Sequence, residues 1–181
     1  QRQMCIRDRD ERMLPESLVA ARKLLEEITP LQTDCGLVCG GACCQTHPGE
    51  ETGMLLFPGE AEMYRGEEGF TLVDSPHGTI LVCEGRCNRA NRPLACRMFP
   101  LVMLLRPDGV KIATDAAAQA VCPLARQGKS ALSQDFVAAV RQAANLLAQD
   151  NQQASHLRRL TDMQDELKAL RAQYRGRKEH V

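Results

Sequence analysis

The sequence has no tryptophan, and only two tyrosines and four phenylalanines among 181 residues. A core must therefore be built from Leu, Val, Ala and Met, with few rings to fill it. An excess of one charge is missing too. Lys+Arg and Asp+Glu each total 23, so the formal net charge is zero. That balance offers no electrostatic footprint for nucleic acid and no attraction to an anionic bilayer. No apolar run approaches the roughly 18–20 residues of a membrane span. The first residues, QRQMCIRDRDERM, are almost all polar. A secretory signal needs an apolar stretch of about 7–15 residues, so none is read here. The expectation is a reducing cytoplasm, where cysteine clusters bind metal or do chemistry rather than form disulfides.

Several familiar motifs are absent as well. No C-x2-C occurs, which removes a thioredoxin-type redox pair and the commonest zinc-ribbon spacing. The radical-SAM spacing C-x3-C-x2-C would need a cysteine where Ala42 stands. The two-cluster ferredoxin pattern is missing. Neither G-x-G-x-x-G nor G-x-x-x-x-G-K-[ST] appears, so nucleotide binding has no motif behind it.

What is present is cysteine, nine in all. Cys5 lies in MCIRDR, Met4 to Arg9, which looks like translated read-through of a sequencing adapter. On that reading residues 1–12 are a non-native or disordered extension, the natural start is Met13, and Cys5 has no part in the chemistry. The other eight are Cys35, Cys39, Cys43, Cys44, Cys83, Cys87, Cys96 and Cys122. The first four form C-x3-C-x3-C-C, and the next three form C-x3-C-x8-C. Thiolates are soft donors that suit zinc, copper(I) or iron–sulfur clusters. Gly36, Gly40 and Gly41 would each cost about 1 kcal/mol inside a helix, so the first group reads as a loop that turns tightly around negatively charged sulfur. Cys43 and Cys44 are adjacent and can share one centre only where the chain is irregular. His47 is a further candidate ligand or a polar loop residue, and His77, His156 and His180 read as polar loop residues.

The elements around these cysteines are short. A helix is expected over Glu16 to Ile28, with Pro15 in its first turn and Thr29-Pro30 as its stop. Strands are expected at Met54 to Phe57, Phe70 to Val73 and Thr79 to Cys83, with a short helix near Gly59-Glu60. Leu101 to Leu105 and Val110 to Thr114 flank the turn Arg106-Pro107-Asp108-Gly109, which marks a hairpin. From Ser130 the pattern is helical. Ser133 is a candidate N-cap for a helix to about Gln149. A second helix from about Ala154 carries Leu157, Leu160, Met163, Leu167, Leu170 and Tyr174 on one face.

These two helices are expected to form an antiparallel hairpin packed through Leu146, Leu147, Leu157, Leu160 and Leu167. The alternative is a dimer seam or docking surface for a protein partner. Arg171, Arg175, Arg177 and Lys178 read as a solvated helix end favoured by the macrodipole. The fold class is α+β: a small cysteine-rich metal-binding domain over residues 13–129 with a leading helix, then a helical hairpin and basic tail over 130–181.

The segment N-R-P-L-A-C-R-M-F-P, Asn91 to Pro100, resembles the R-P-x-x-C-R-x-F-P signature of the YkgJ-type cysteine-cluster family, described as zinc- or iron-chelating. The glycine-bearing run from Cys35 to Cys44, the cysteines Cys83 and Cys87 before the signature, and Cys122-Pro123-Leu124 are similar to other features of that family. The resemblance spans roughly Asp34 to Leu124. Family members commonly carry C-x2-C-C where this chain has C-x3-C-C, which leaves open whether Cys43 or Cys44 ligates. The resemblance implies a metal-binding protein with a zinc or iron–sulfur centre, because both accept four thiolates. It leaves the choice between one centre and two. Flagellin lysine N-methylases contain this type of domain, so the resemblance also admits a metal-cluster-dependent enzyme. A metal-delivery or interaction module is the third alternative.

Within the signature, Pro93 and Pro100 stiffen both approaches to Cys96. Phe99 can shield sulfur from water. Arg92 and Arg97 either place positive charge beside the thiolates or pair with carboxylates such as Glu60 or Glu84.

Overall fold

The computed structural model describes residues 14–45, 53–85 and 88–178, with side chains as far as 174. Cys5, Met13, His47, Cys87 and His180 lie outside the described residues, as do the side chains of Arg175, Arg177 and Lys178. The α-helices are α1 (Glu16–Leu24), α2 (Cys35–Cys39), α3 (Leu94–Met98), α4 (Ala118–Val121), α5 (Pro123–Gln127), α6 (Gln134–Leu147) and α7 (Asn151–Lys178). The strands are β1 (Met54–Leu55), β2 (Phe70–Ser75), β3 (Gly78–Cys83), β4 (Leu101–Arg106) and β5 (Gly109–Thr114). The mixture is α+β, as the sequence suggests.

The strands form two antiparallel sheets. One has the order β1–β3–β2, with Leu81 of β3 opposite Met54 on one side and Leu72 on the other. The second is the β4–β5 hairpin, in register from Leu101↔Thr114 to Arg106↔Gly109. Four of the five expected strands extend at least as far as the sequence pattern suggests. The exception is β1, from which Leu56 and Phe57 depart into the core, both buried. The Phe57 amide leaves the ladder to donate to Glu60 Oε2 at 3.3 Å. Glu60–Tyr64 then forms the expected short helix, of 3-10 type.

The first helix stops at Leu24, short of the expected Ile28. The guanidinium of Arg89 donates to the carbonyls of Leu25, Glu26 and Ile28 at 3.3, 2.6 and 2.7 Å. A helix end leaves carbonyls without partners, and here a distant arginine takes them.

The expected helical hairpin is corrected. α6 and α7 are long and consecutive, but they diverge after the turn that joins them. α6 packs on α1 and the β4–β5 hairpin, and α7 runs along β4. Alanines at 21, 139, 143 and 144 are buried where α1 and α6 meet, and their small side chains allow close approach. The main core gathers Leu147 and Leu157 with Leu18, Phe57, Leu94, Met103 and Phe136. Leu160 packs partly against this core, and Leu146 and Leu167 are half-buried. The apolar stripe then fades outward, to Leu170 at 50% and Tyr174 at 65% exposure.

The buried face of α7 is partly polar, which an apolar periodicity does not reveal. Gln153, His156, Thr161 and Gln164 are all buried. Thr161 Oγ1 accepts the amide of Leu105 at 2.9 Å, and Gln164 Oε1 accepts the amide of Ala116 at 2.9 Å. Side chains of α7 thus satisfy backbone donors along and just beyond the hairpin. The helix starts at Asn151 rather than Ala154 because Asp150 caps it, accepting the amides of Gln152 and Gln153 at 2.9 and 3.1 Å. Two further expectations are corrected here. His156 is a buried helix residue and not a loop residue. Arg171 is not simply solvated, since it donates to the carbonyl of Ala116.

Candidate metal centre

The cysteine run is not a plain loop. Cys35 to Cys39 makes one α-helical turn, capped by Asp34, whose Oδ1 accepts the Gly36 amide at 3.0 Å. Cys35 and Cys39 are therefore four apart on one face, and the Cys39 thiol reaches back to the Cys35 carbonyl at 3.5 Å. Gly40 and Gly41 follow at φ values of 65° and 70°. Consecutive left-handed residues reverse the chain, which glycine does without a Cβ clash. Ala42–Cys44 then forms a 3-10 turn. The glycines act as expected at 40 and 41, whereas Gly36 is accommodated inside the helical turn.

That 3-10 turn keeps the adjacent sulfurs from pointing apart. Cys43 Sγ and Cys44 Sγ are 3.8 Å from each other. Their hydrogen bond holds Cys44 down at about 6, with Arg92 adding to the effect and burial opposing it. The same bond, followed by burial, pushes Cys43 up.

Cys122 arrives from a different part of the chain. It ends α4 and caps α5, with Pro123 in the first helical position. Its charge acts on Cys35, together with those of Asp34 and Cys39, although burial is the main influence that pushes the Cys35 thiol up. Arg92 pulls in the opposite direction on both Cys35 and Cys44. Cys35, Cys39, Cys43, Cys44 and Cys122 thus share one electrostatic neighbourhood with Arg92. Phe99 packs against the small cluster of Ala118, Cys122 and Ala125.

The two arginines of the signature have separate roles. Arg92 lowers the Cys35 and Cys44 thiols by its charge. Arg97 is buried and donates to the carbonyls of Arg92, Arg22 and Ala90 at 3.0, 3.0 and 2.8 Å. Burial, then Arg22, pulls Arg97 down to about 10. Glu60 pairs instead with Arg22, and it also accepts the Leu94 amide at the start of α3. Burial pushes its carboxyl up, while Arg22 and the amides of Leu94 and Phe57 pull it down. The sequence carries one signal of this buried network, Glu60, a carboxylate at the start of a short helix in an otherwise apolar stretch.

The remaining thiols sit elsewhere in the scaffold. Cys96 lies on α3, and its charge bears on the buried Tyr64 hydroxyl. Cys83 is the last residue of β3, opposite Phe70. The described cysteines carry thiols, with no disulfide among them. The chemistry of this donor set fits a soft metal. In position, however, no three His, Cys, Asp or Glu side chains among the described residues converge closely enough to hold a metal ion. His77 and His156 do not join the thiols: His77 is an exposed residue of the β2–β3 turn, and His156 is on α7. Among the described residues no helix is long and apolar enough to cross a membrane. Comparison of the chain with family models, curated proteins and solved structures finds no match.

Proposed function

We propose that this chain is a cytoplasmic metal-binding protein whose zinc or iron–sulfur centre is held by thiolates from Cys35, Cys39, Cys43, Cys44 and Cys122. Cys83, Cys87 and Cys96 complete the thiol set as ligands of a second centre or as supporting thiols. The observation that carries the reading is the contact of α4, the helix that Cys122 ends, with the Ala42–Cys44 turn, with Cys122 and Arg92 both acting on Cys35. Like-charged thiolates gain nothing from proximity unless a cation neutralises them. Rotation about χ1 swings a sulfur by a few ångströms, so half-exposed thiols on a glycine-hinged turn can close on an ion. Metal binding displaces the thiol protons, including the one pushed up on Cys35.

A second reading is favoured by one feature. Leu37 and Val38, between Cys35 and Cys39, are 83% and 68% exposed. Large apolar side chains turned to solvent beside the thiols suit a module that hands metal to a protein, or receives it from one.

The test is zinc titration of the reduced, metal-free chain against a competing chelator. Cys122→Ser is expected to weaken binding by at least about tenfold, as loss of a metal-ordering group does, while Cys5→Ser matches the parent. Parent-like affinity in a folded Cys122→Ser chain removes Cys122 from the site.

A further inference from the structure

We propose that the cleft beside the first two turns of α7 is a binding site for a small monocarboxylate with an apolar body. The cleft has a volume of about 330 Å³, within the range of small-molecule sites. It shares no residue with the thiol cluster. Leu56, Phe57 and Pro58, where the chain leaves β1, give it an apolar floor. Its opposite wall is one stripe of α7: Gln152, Ser155, His156 and Arg159. These positions are three and four apart, so they stack on one helix face.

The polarity of that wall defines the ligand. Arg159 is the single charged side chain among the described residues that line the cleft. It is exposed, and it makes no salt bridge with the described carboxylates. A cationic ligand would therefore meet repulsion and no counter-charge. An anion would find a planar guanidinium, which matches a carboxylate in two-point geometry. One guanidinium over an apolar floor balances a monoanion. A phosphate dianion would keep an unneutralised charge against Leu56 and Phe57.

His156 supplies the second, independent observation. It is only 1% exposed, lines the cleft, and packs against Phe57 at a tilt of 55° with ring centroids 4.8 Å apart. Its Nε2 has no hydrogen-bond partner. Buried polar atoms without partners are uncommon in native proteins, and each calls for a cause. Burial, with Arg159 adding repulsion, holds the ring down at about 4, so it is a neutral imidazole near pH 7. Nε2 is sealed from solvent, so a carboxylate oxygen would reach it only if the ring turns toward the cleft on binding, and the neutral ring could then give that oxygen its one N–H. Arg159 would then carry the charge and His156 the orientation, with the apolar body lying on the floor.

The full-length chain is titrated with 4-methylpentanoate and benzoate, each beside its amide, and with inorganic phosphate. Binding is read by calorimetry and by the His156 imidazole resonance in NMR. The expected result is saturable binding of at least one of the two carboxylates, with a shift of the His156 resonance. Its amide and phosphate should each bind at least about tenfold more weakly, a factor that one lost charge-assisted contact supplies. Arg159→Gln, at an exposed position, should retain the parent melting temperature and lose at least about tenfold in affinity. Three results would each overturn the proposal: no saturation by either carboxylate up to about 10 mM, near the weak limit of specific binding; equal binding of acid and amide; or unchanged affinity in Arg159→Gln.

Discussion

Glu60 Oε1 accepts the backbone amide of Leu94 at 2.7 Å, and the same carboxylate pairs with Arg22. One buried acid thereby ties the helix that carries Cys96 to α1. Both charges are out of water, at 0% exposure for the Glu60 side chain and 6% for that of Arg22. Removing one partner strands the other. Glu60→Gln should therefore destabilise the fold by about 3–5 kcal/mol, measured by urea denaturation. A loss below about 1 kcal/mol would mean that Arg22 finds water or another acceptor.

Arg97 tests the division of labour in the signature. Its guanidinium reaches three carbonyls in different directions. A lysine ammonium offers no planar fork and cannot span them. Arg97→Lys should cost about 2–4 kcal/mol by the same denaturation assay, from lost charge-assisted bonds. Unchanged stability would sever Arg97 from this structural role.

His156 makes stability depend on pH. Its folded pKa, about 4, lies below the usual value of 6.5. The unfolded chain therefore takes up a proton between those values while the folded chain does not. The stabilising contribution is complete above about pH 6.5 and is lost as pH falls toward 4, by about 3 kcal/mol in total. Comparing unfolding free energies at pH 7 and 4.5 for the parent and His156→Gln checks this. The variant should lose most of that slope, and an identical slope in both would contradict the assignment.

Thr161 links α7 to the sheet. Its hydroxyl accepts the Leu105 amide and donates to the Leu157 carbonyl at 2.8 Å. Thr161→Val keeps the shape but orphans the Leu105 amide, at a cost of about 1–3 kcal/mol. Hydrogen exchange at Leu105 should accelerate more than at Met103, its neighbour deeper in the strand. Equal acceleration at both would point to global loosening instead.

The strands are legible in the sequence because each is a short apolar run bounded by turn residues, and Arg106-Pro107-Asp108-Gly109 fixes one register by itself. The helix arrangement is less legible. Leu157 and Leu160 mark the right face of α7, but Gln153, Thr161 and Gln164 complete it through hydrogen bonds that no hydrophobic period encodes. The end of α1 depends on Arg89, more than sixty residues away. At the candidate site, the spacing picks out the thiols. It does not say that Arg97 binds backbone carbonyls while the charge of Arg92 bears on Cys35 and Cys44, because local sequence gives both the same chemistry. Nor does it reveal the helical turn from Cys35 to Cys39, where the Asp34 cap offsets the cost of Gly36.

The central claim is that the thiols hold a metal. The most direct measurement is elemental analysis and a visible spectrum of the chain purified without oxygen and without chelator. At least one tightly bound centre per chain is expected: zinc in a colourless protein, or iron with sulfide and broad absorbance near about 400 nm. A folded, thermally stable chain with its thiols reduced, and with neither zinc nor iron bound, would contradict it.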